Sequence, residues 1–176
     1  MARVPYIEPD QAPPEVREIY EQKLKGKPGN IQKALAHRPE LLKNFLGFYA
    51  SVGKSLDRRL FELLYLKVSM MNQCQYCLQH HLASSKRAGL TQEDWHALPD
   101  FERSSRFTDP EKAALRYAEK VTLPPTSNAG AEVDRLKAFF NDAQRVDIIA
   151  TAALANLTNR ITDPLGLELE FAPEKF

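Results

Sequence analysis

The chain has 176 residues, a formal net charge of +1, and 43% hydrophobic and 27% charged residues. This length suits one domain with a sizeable core, and we predict a single domain over residues 1–176. Because the charges are balanced and no apolar run is long enough to cross a bilayer, we expect neither nucleic acid nor a membrane as a partner. Residues 1–16 lack the apolar segment of a secretory signal, so a cytoplasmic protein is expected.

The first part of the chain has the pattern of three helices. Pro13 and Pro14 suit the first turn of a helix, where the missing N–H group costs nothing. Asn30 can cap a short second helix, which Pro39 limits. Residues 41–52 then place apolar side chains on one broad face, which predicts an amphipathic third helix.

The sequence pattern in the middle of the chain predicts two helices separated by a short break. Ser55 or Asp57 can open the first of them, and residues 72–73 interrupt it. The second runs over residues 74–87, and Gly89 is a suitable end.

The last part of the chain contains the clearest start signals. Residues 91–94 cap a short turn, and residues 108–111 combine a cap, a proline at the first helical position and an acid at the third. Further helices are predicted around residues 133–140 and over residues 143–161, where Asp163–Pro164 ends the last one. The tail from Leu165 to Phe176 is expected to wrap along the surface. With no alternating strand in the pattern, the fold class is all-α without a sheet.

The only two cysteines of the chain, Cys74 and Cys77, are three positions apart. In a reducing compartment such a pair is rarely a structural crosslink, and it closes too small a loop to stabilise a fold much. Two buried small hydrophobic side chains are the plainer alternative. The spacing favours redox chemistry or metal binding over that alternative.

Two further side chains complete the candidate site. His81 follows Cys77 by four residues, so on a helix both lie on one face, and His81 can accept the Cys77 proton or pair with its thiolate. A helix N-terminus also favours negative charge on both cysteines. We therefore predict that Cys77 has the lower thiol pKa of the pair. Glu62 lies among apolar neighbours on the preceding helix and needs a partner, and it can orient His81 or pass a proton through it.

The pattern Glu62…Cys74-x-x-Cys77-x-x-x-His81 resembles the alkylhydroperoxidase D (AhpD) and carboxymuconolactone decarboxylase superfamily, and within it the peroxidase-related branch. The similarity covers roughly residues 30–165, which we take as the core, and implies the AhpD-like helical fold. It also includes these segments: Asn72–Cys77, His80–His81, Ala88–Leu90, Thr108–Leu115 and Asn159–Arg160.

The resemblance implies a thiol-dependent hydroperoxide reductase, an oxidoreductase of the EC 1.11.1 type. Cys77 would attack the peroxide and become a sulfenic acid, and Cys74 would resolve it as a disulfide. Glu62 and His81 would form a proton relay, and an external dithiol reductant would reopen the disulfide. No cofactor and no metal are expected. The best-known AhpD proteins carry His between the cysteines, where this chain has Tyr76.

Three other functions fit the same residues less well. Cys74, Cys77 and His81 with Glu62 could bind zinc, although three ligands from one helical turn converge poorly. A helical interaction protein could use the dithiol as a redox switch without turnover. The decarboxylase branch, by resemblance, lacks the paired cysteines, which disfavours a decarboxylase.

The segment from residue 145 to residue 161 is the most apolar of the predicted helices. Its apolar side chains occupy most of the helix circumference, so nearly all sides must be covered. Burial against further copies of the chain is one solution, and the resemblance implies a trimer or a hexamer. The alternative is a central helix wrapped by neighbours from its own chain.

Overall fold

The computed structural model describes residues 1–174, which form helices joined by short loops and contain no β-strand, so the predicted all-α class is confirmed. Two short 3-10 helices lie at Leu98–Asp100 and Thr126–Ala129. Among the described residues, no helix is long and apolar enough to span a membrane. The α-helices, in chain order, are α1 (Pro14–Leu24), α2 (Asn30–Leu35), α3 (Pro39–Ser51), α4 (Arg58–Met71), α5 (Gln75–Arg87), α6 (Gln92–Ala97), α7 (Asp109–Thr122), α8 (Gly130–Leu136) and α9 (Asp142–Leu165).

Side-chain caps start four of these helices. The Asp57 carboxylate accepts hydrogen bonds from the first backbone N–H groups of α4. Reciprocal capping boxes open α6 at Thr91, α7 at Thr108 and α9 at Asn141. Each box satisfies two N–H groups that the helix itself cannot pair, which explains why these starts are readable from local sequence.

Helix α4 lies at the centre of the fold and packs against α5, α7 and α9. It is buried nearly all round, including its polar residues Glu62, Lys67 and Ser69. The Lys67 ammonium pairs with Glu119 at 2.8 Å and lies over the ring of Phe101. Since a buried charge needs a partner, the polar groups of α4 are placed where neighbouring helices supply one.

Helix α9 is longer than the sequence predicts. It continues through Asp163 and Pro164 to Leu165 and ends at Gly166, whose φ of 62° is left-handed. The prediction that Asp163–Pro164 ends the helix is therefore wrong. A proline in the last turn removes only one helical hydrogen bond, whereas a left-handed glycine terminates the helix outright. The extra turn keeps Thr162 in helical geometry, facing the start of α5.

Beyond α9 the chain turns back along α5. Leu167 is buried, and the Glu174 backbone N–H donates to the Gln79 side chain at 2.6 Å. The predicted surface tail is thus fastened to the helix that carries the cysteines, up to residue 174. The last two residues of that predicted tail lie outside the described residues.

Candidate active site

The two cysteines lie at the start of α5, where the chain turns out of α4. Gln73 takes a left-handed φ of 56° in this turn, and Cys74 is the N-cap residue of α5. Cys77 follows in the first turn of the helix. Both are buried free thiols. The predicted position of the dithiol at a helix N-terminus is confirmed.

One hydroxyl group from a distant part of the chain contacts both sulfur atoms. Thr162 Oγ1, in the last turn of α9, lies 3.1 Å from Cys74 Sγ and 3.2 Å from Cys77 Sγ. The same hydroxyl lies 3.0 Å from the backbone carbonyl of Thr158, one turn earlier. The dithiol is thus held between the first turn of α5 and the last turn of α9.

The two thiols ionise as a pair. A hydrogen bond from the Cys77 thiol lowers the pKa of Cys74 to about 6, and the Thr162 hydroxyl acts in the same direction. That same thiol–thiol hydrogen bond, together with burial, raises the pKa of Cys77. The pair therefore loses its first proton near pH 6, and in this conformation the thiol–thiol hydrogen bond favours the charge on Cys74, whereas the spacing to His81 predicts it on Cys77. The partner thiol, and not a histidine four residues away, provides the main stabilisation of the thiolate.

Glu62 and His81 are in direct contact, as the sequence predicts. Glu62 Oε2 lies 2.8 Å from His81 Nδ1 and accepts a 2.6 Å hydrogen bond from Ser84 Oγ. Arg58 Nη2 lies 2.7 Å from the other carboxylate oxygen. Burial acts to raise the pKa of Glu62, but the bonds from His81 and Ser84 and the charge of Arg58 lower it overall. Glu62 is therefore a carboxylate although it is fully buried.

The His81 ring is neutral and fixed in orientation. Burial lowers the pKa of His81, and the nearby carboxylate only partly counteracts this effect. In a neutral ring whose Nδ1 faces a carboxylate, Nδ1 carries the proton and Nε2 keeps its lone pair. The Tyr65 ring stacks on His81 with 3.7 Å between ring centroids and 13° between the planes. His81 is thus prepared to accept a proton at Nε2.

An open cleft of about 810 Å³ leads to these groups. Of the two cysteines, Cys77 lines the cleft, and His81 and Tyr65 line it beside Cys77. Among residues 1–174 the structure records Thr162, and not His81, as a hydrogen-bond partner of Cys77 Sγ. Cys77 and His81 thus share the cleft without the direct contact that their spacing suggests.

Tyr76, the residue between the cysteines, is tied to the C-terminal tail. Its hydroxyl donates to Glu170 at 2.8 Å and accepts from the Ile31 backbone N–H at 3.2 Å. Glu170 also lies 2.9 Å from His80 Nε2 and accepts from the Asn30 backbone N–H. Burial acts to raise the pKa of Glu170, but these hydrogen bonds lower it to about 2. The tail carboxylate therefore connects the dithiol turn to the start of α2.

Within residues 1–174, no three His, Cys, Asp or Glu side chains are placed to hold a metal ion. Both oxygens of Glu62 face other partners, namely His81 and Ser84 on one side and Arg58 on the other. The arrangement of these groups does not support the zinc alternative.

Three residues of the site were not identified from the sequence. Arg58 precedes Glu62 by four residues, a spacing that predicts an ion pair on a helix. Ser84 follows Cys77 by seven residues and so lies on the same helical face. Thr162 had no such local signal, because only the packing of α9 against α5 brings it to the cysteines.

A comparison with protein families matches the segment that carries these residues. The family model of the carboxymuconolactone decarboxylase family matches residues 39–120, which include Glu62, both cysteines and His81. The uncharacterized protein YdfG of Bacillus subtilis (strain 168) is 29% identical over 113 residues, or 64% of this chain and 77% of YdfG.

Two solved structures are similar over nearly the whole chain. An uncharacterized peroxidase-related protein from Silicibacter sp. TM1040 is 26% identical with a TM-score of 0.80, and the match covers 96% of this chain and 92% of that one. A peroxidase-related protein from Ralstonia eutropha JMP134, described as an alkylhydroperoxidase AhpD core, has the same TM-score of 0.80 and the same coverage of 96% and 92%, at 24% identity. The chain is thus similar to the carboxymuconolactone decarboxylase family over residues 39–120 and shares the AhpD-like helical fold of these two structures.

Proposed function

We propose that the protein is a thiol-dependent peroxidase that reduces an organic hydroperoxide with the Cys74–Cys77 dithiol. One observation carries the proposal: a hydrogen-bonded dithiol that loses its first proton near pH 6 opens through Cys77 onto a cleft shared with a neutral, buried histidine. A thiolate available at neutral pH is what peroxide reduction needs, since the thiolate and not the thiol attacks oxygen.

Cys77 is the attacking residue in this proposal because it lines the cleft. The Cys77 proton moves to the Cys74 thiolate, which leaves the charge on Cys77, or to His81 Nε2, which leaves both sulfur atoms charged. The Cys77 sulfur attacks the terminal oxygen of the hydroperoxide, the O–O bond breaks, and Cys77 becomes a sulfenic acid. The alkoxide that leaves takes this proton back from Cys74 or His81 and departs as an alcohol, so that Cys74 is again a thiolate.

Cys74 then closes the cycle. Its thiolate attacks the sulfenic sulfur of Cys77, a disulfide forms, and the hydroxide that leaves is protonated to water. One hydroperoxide is thus reduced to an alcohol and water, and the dithiol is oxidised by two electrons. An external dithiol reduces the disulfide by thiol–disulfide exchange and is itself oxidised.

Glu62 and His81 serve the proton transfers in this cycle. When His81 accepts a proton at Nε2 it becomes a cation, and the Glu62 carboxylate at Nδ1 stabilises it. Glu62 can do so because Arg58 and Ser84 keep it ionised in a buried position. The pair therefore stores one proton between the attack on the peroxide and the departure of the alcohol.

The direct test is peroxide consumption with dithiothreitol as the reductant and hydrogen peroxide or cumene hydroperoxide as the substrate. Without reductant, we expect one equivalent of hydroperoxide to remove both thiols. With reductant, we expect steady turnover. Thiols that survive excess hydroperoxide at neutral pH would contradict the proposal.

A redox switch without turnover is the second candidate, and the tail favours it. Oxidation must change the turn that holds Cys74 and Cys77, and Tyr76 in that turn is bonded to Glu170 of the tail. Slow loss of both thiols, without turnover but with increased hydrogen exchange in residues 167–174, would identify a switch.

A further inference from the structure

Thr162 is the only side chain recorded within residues 1–174 as donating to or accepting from both sulfur atoms, and it is buried. We propose that Thr162 is a catalytic residue that stabilises the single thiolate of the dithiol and keeps its hydrogen bond as the charge passes between the sulfurs. The inference rests on the dithiol chemistry of the proposed function but not on the identity of the oxidant.

The Thr162 hydroxyl has one proton and more than one acceptor. While both cysteines are thiols, it can donate to the Thr158 carbonyl at 3.0 Å and accept from a thiol. When one sulfur becomes a thiolate, a charge-assisted hydrogen bond is stronger, so the hydroxyl turns toward that sulfur. The Thr158 carbonyl is not left unpaired, because it still accepts the backbone N–H of Thr162 within the helix.

The position of the hydroxyl suits both sulfurs almost equally. Its distances of 3.1 Å to Cys74 Sγ and 3.2 Å to Cys77 Sγ allow the same donor to serve either thiolate. A donor shared by both sulfurs is needed because the charge is favoured on Cys74, whereas Cys77 is the cysteine that lines the cleft. Thr162 can therefore stabilise the thiolate at either location, and the same donor stays bonded as the charge moves.

The packing around Thr162 holds the hydroxyl in place. One turn earlier, Asn159 accepts a hydrogen bond from Asn72 at 2.8 Å and donates to Ser69 at 3.2 Å. Ser69 lies in the last turn of α4, and Asn72 is the C-cap residue of that helix, where the turn to the cysteines begins. A β-branched side chain in a helix also has few χ1 rotamers. The end of α9 is thereby fixed to the dithiol turn.

Thr162→Val tests the proposal because it removes the hydroxyl and keeps the shape. The measurements are the ultraviolet absorbance of the thiolate and the rate of alkylation by iodoacetamide, both as a function of pH. We expect a rise of about one pKa unit, and therefore an alkylation that is about fivefold slower at pH 6 and approaches tenfold slower at lower pH. The difference should vanish at high pH, and Thr162→Ser should restore the wild-type profile.

Thr151→Val is a matched control on the same helix. Thr151 is fully buried, and within the described residues its hydroxyl has no hydrogen-bond partner, so its loss should leave thiol ionisation unchanged. The proposal is overturned if folded Thr162→Val ionises like wild type, or if Thr162→Ser ionises like Thr162→Val. Should Thr162→Val not fold by circular dichroism, Thr162→Ser and Thr162→Ala are compared, and equal pKa values overturn it.

Discussion

At the scale of single residues, the two sulfur atoms differ in charge and in access. The thiol–thiol hydrogen bond lowers the pKa of Cys74 to about 6 and so favours the charge there, whereas Cys77 lines the cleft. We expect Cys77→Ser to abolish peroxide consumption. Cys74→Ser should still consume one peroxide and leave a sulfenic acid on Cys77 that dimedone traps, because the resolving thiol is missing. Mass mapping of the first adduct to Cys74 in the wild-type protein would reverse the assignment.

The histidine supports a second prediction. His81→Ala removes the group that accepts a proton in the cleft, so peroxide turnover near pH 7 should fall about 10- to 100-fold, the usual size of a general-base contribution. Glu62→Gln should act in the same direction but less, because an amide oxygen still accepts from Nδ1. The exposed His37, which is bonded to the Pro5 carbonyl, provides the control His37→Ala. Equal turnover by His81→Ala and His37→Ala would remove His81 from the mechanism.

The sequence predicts those residues of the site that lie close together in the chain, but not those that only the tertiary fold brings together. Glu62, the cysteines and His81 lie within twenty residues on consecutive helices, so helical spacing brings them together. Thr162 follows Cys77 by 85 residues, and only tertiary packing places it at the sulfurs. The order of the thiol pKa values was also unpredictable, because it depends on hydrogen bonds whose direction spacing does not reveal.

At the scale of helices, starts were more predictable than ends. The starts at Thr91 and Thr108 depend on side chains within three residues of the cap, so local sequence contains the whole cause. The end of α9 depends on competition between Pro164 and Gly166, and the glycine decides it through its left-handed backbone.

The tail supports a prediction about one carboxylate. Hydrogen bonds depress the pKa of Glu170 to about 2, so its stabilisation is fully present above about pH 4.5 and is lost as the pH falls through about 2. Glu170→Gln removes the charge at neutral pH and should weaken the bonds from Tyr76 and His80. We expect faster hydrogen exchange in residues 167–174 and a loss of about 1–2 kcal/mol in stability.

The matched control for Glu170 is in the same tail. Glu168 is half exposed and pairs with the N-terminal amine of Met1, so Glu168→Gln should change exchange in residues 167–174 much less than Glu170→Gln does. If Glu170→Gln and Glu168→Gln show the same exchange across residues 167–174, the carboxylate of Glu170 does not hold the tail.

At the scale of the whole molecule, the cleft is far larger than hydrogen peroxide. Its volume is about 810 Å³ and its walls include Phe45, Phe48 and Tyr49. Apolar walls favour a hydroperoxide with an apolar body, so kcat/KM should be higher for cumene hydroperoxide than for hydrogen peroxide. Phe48→Ser should lower kcat/KM for cumene hydroperoxide about tenfold and leave hydrogen peroxide unaffected. Leu123, an exposed apolar residue that does not line the cleft, provides the control Leu123→Ser.

Equal effects of Phe48→Ser on both substrates would mean that the wall at Phe48 does not contact the substrate body. The wider cleft would then serve the reductant, which must also reach the Cys74–Cys77 disulfide. Kinetics at varied dithiol concentration separate these roles. If the cleft wall serves the reductant, Phe48→Ser changes the KM for the dithiol and leaves the KM for the hydroperoxide unchanged.

The last prediction concerns assembly, and the packing of α9 supports it. Neighbours within the chain cover one face of the helix, where Ile148, Ala152 and Ala155 are buried. On the opposite face, Val146 is 63% and Leu157 43% exposed. These two residues are eleven positions apart and so lie on one stripe. Exposed apolar side chains along one stripe of a helix are typical of an interface, and we expect a homo-oligomer, either a trimer or a hexamer.

Charge on this stripe should separate the subunits. Val146→Asp with Leu157→Asp places like charges at the expected contact, where burial without a partner is unfavourable. Light scattering at micromolar concentration should then give a mass near the 20.0 kDa of one chain, whereas the wild-type mass is a multiple of it. Phe139→Asp changes an exposed apolar residue outside α9 and should leave the assembly intact. A wild-type mass near 20.0 kDa that does not change on dilution would contradict the prediction, and the exposed stripe would then face solvent.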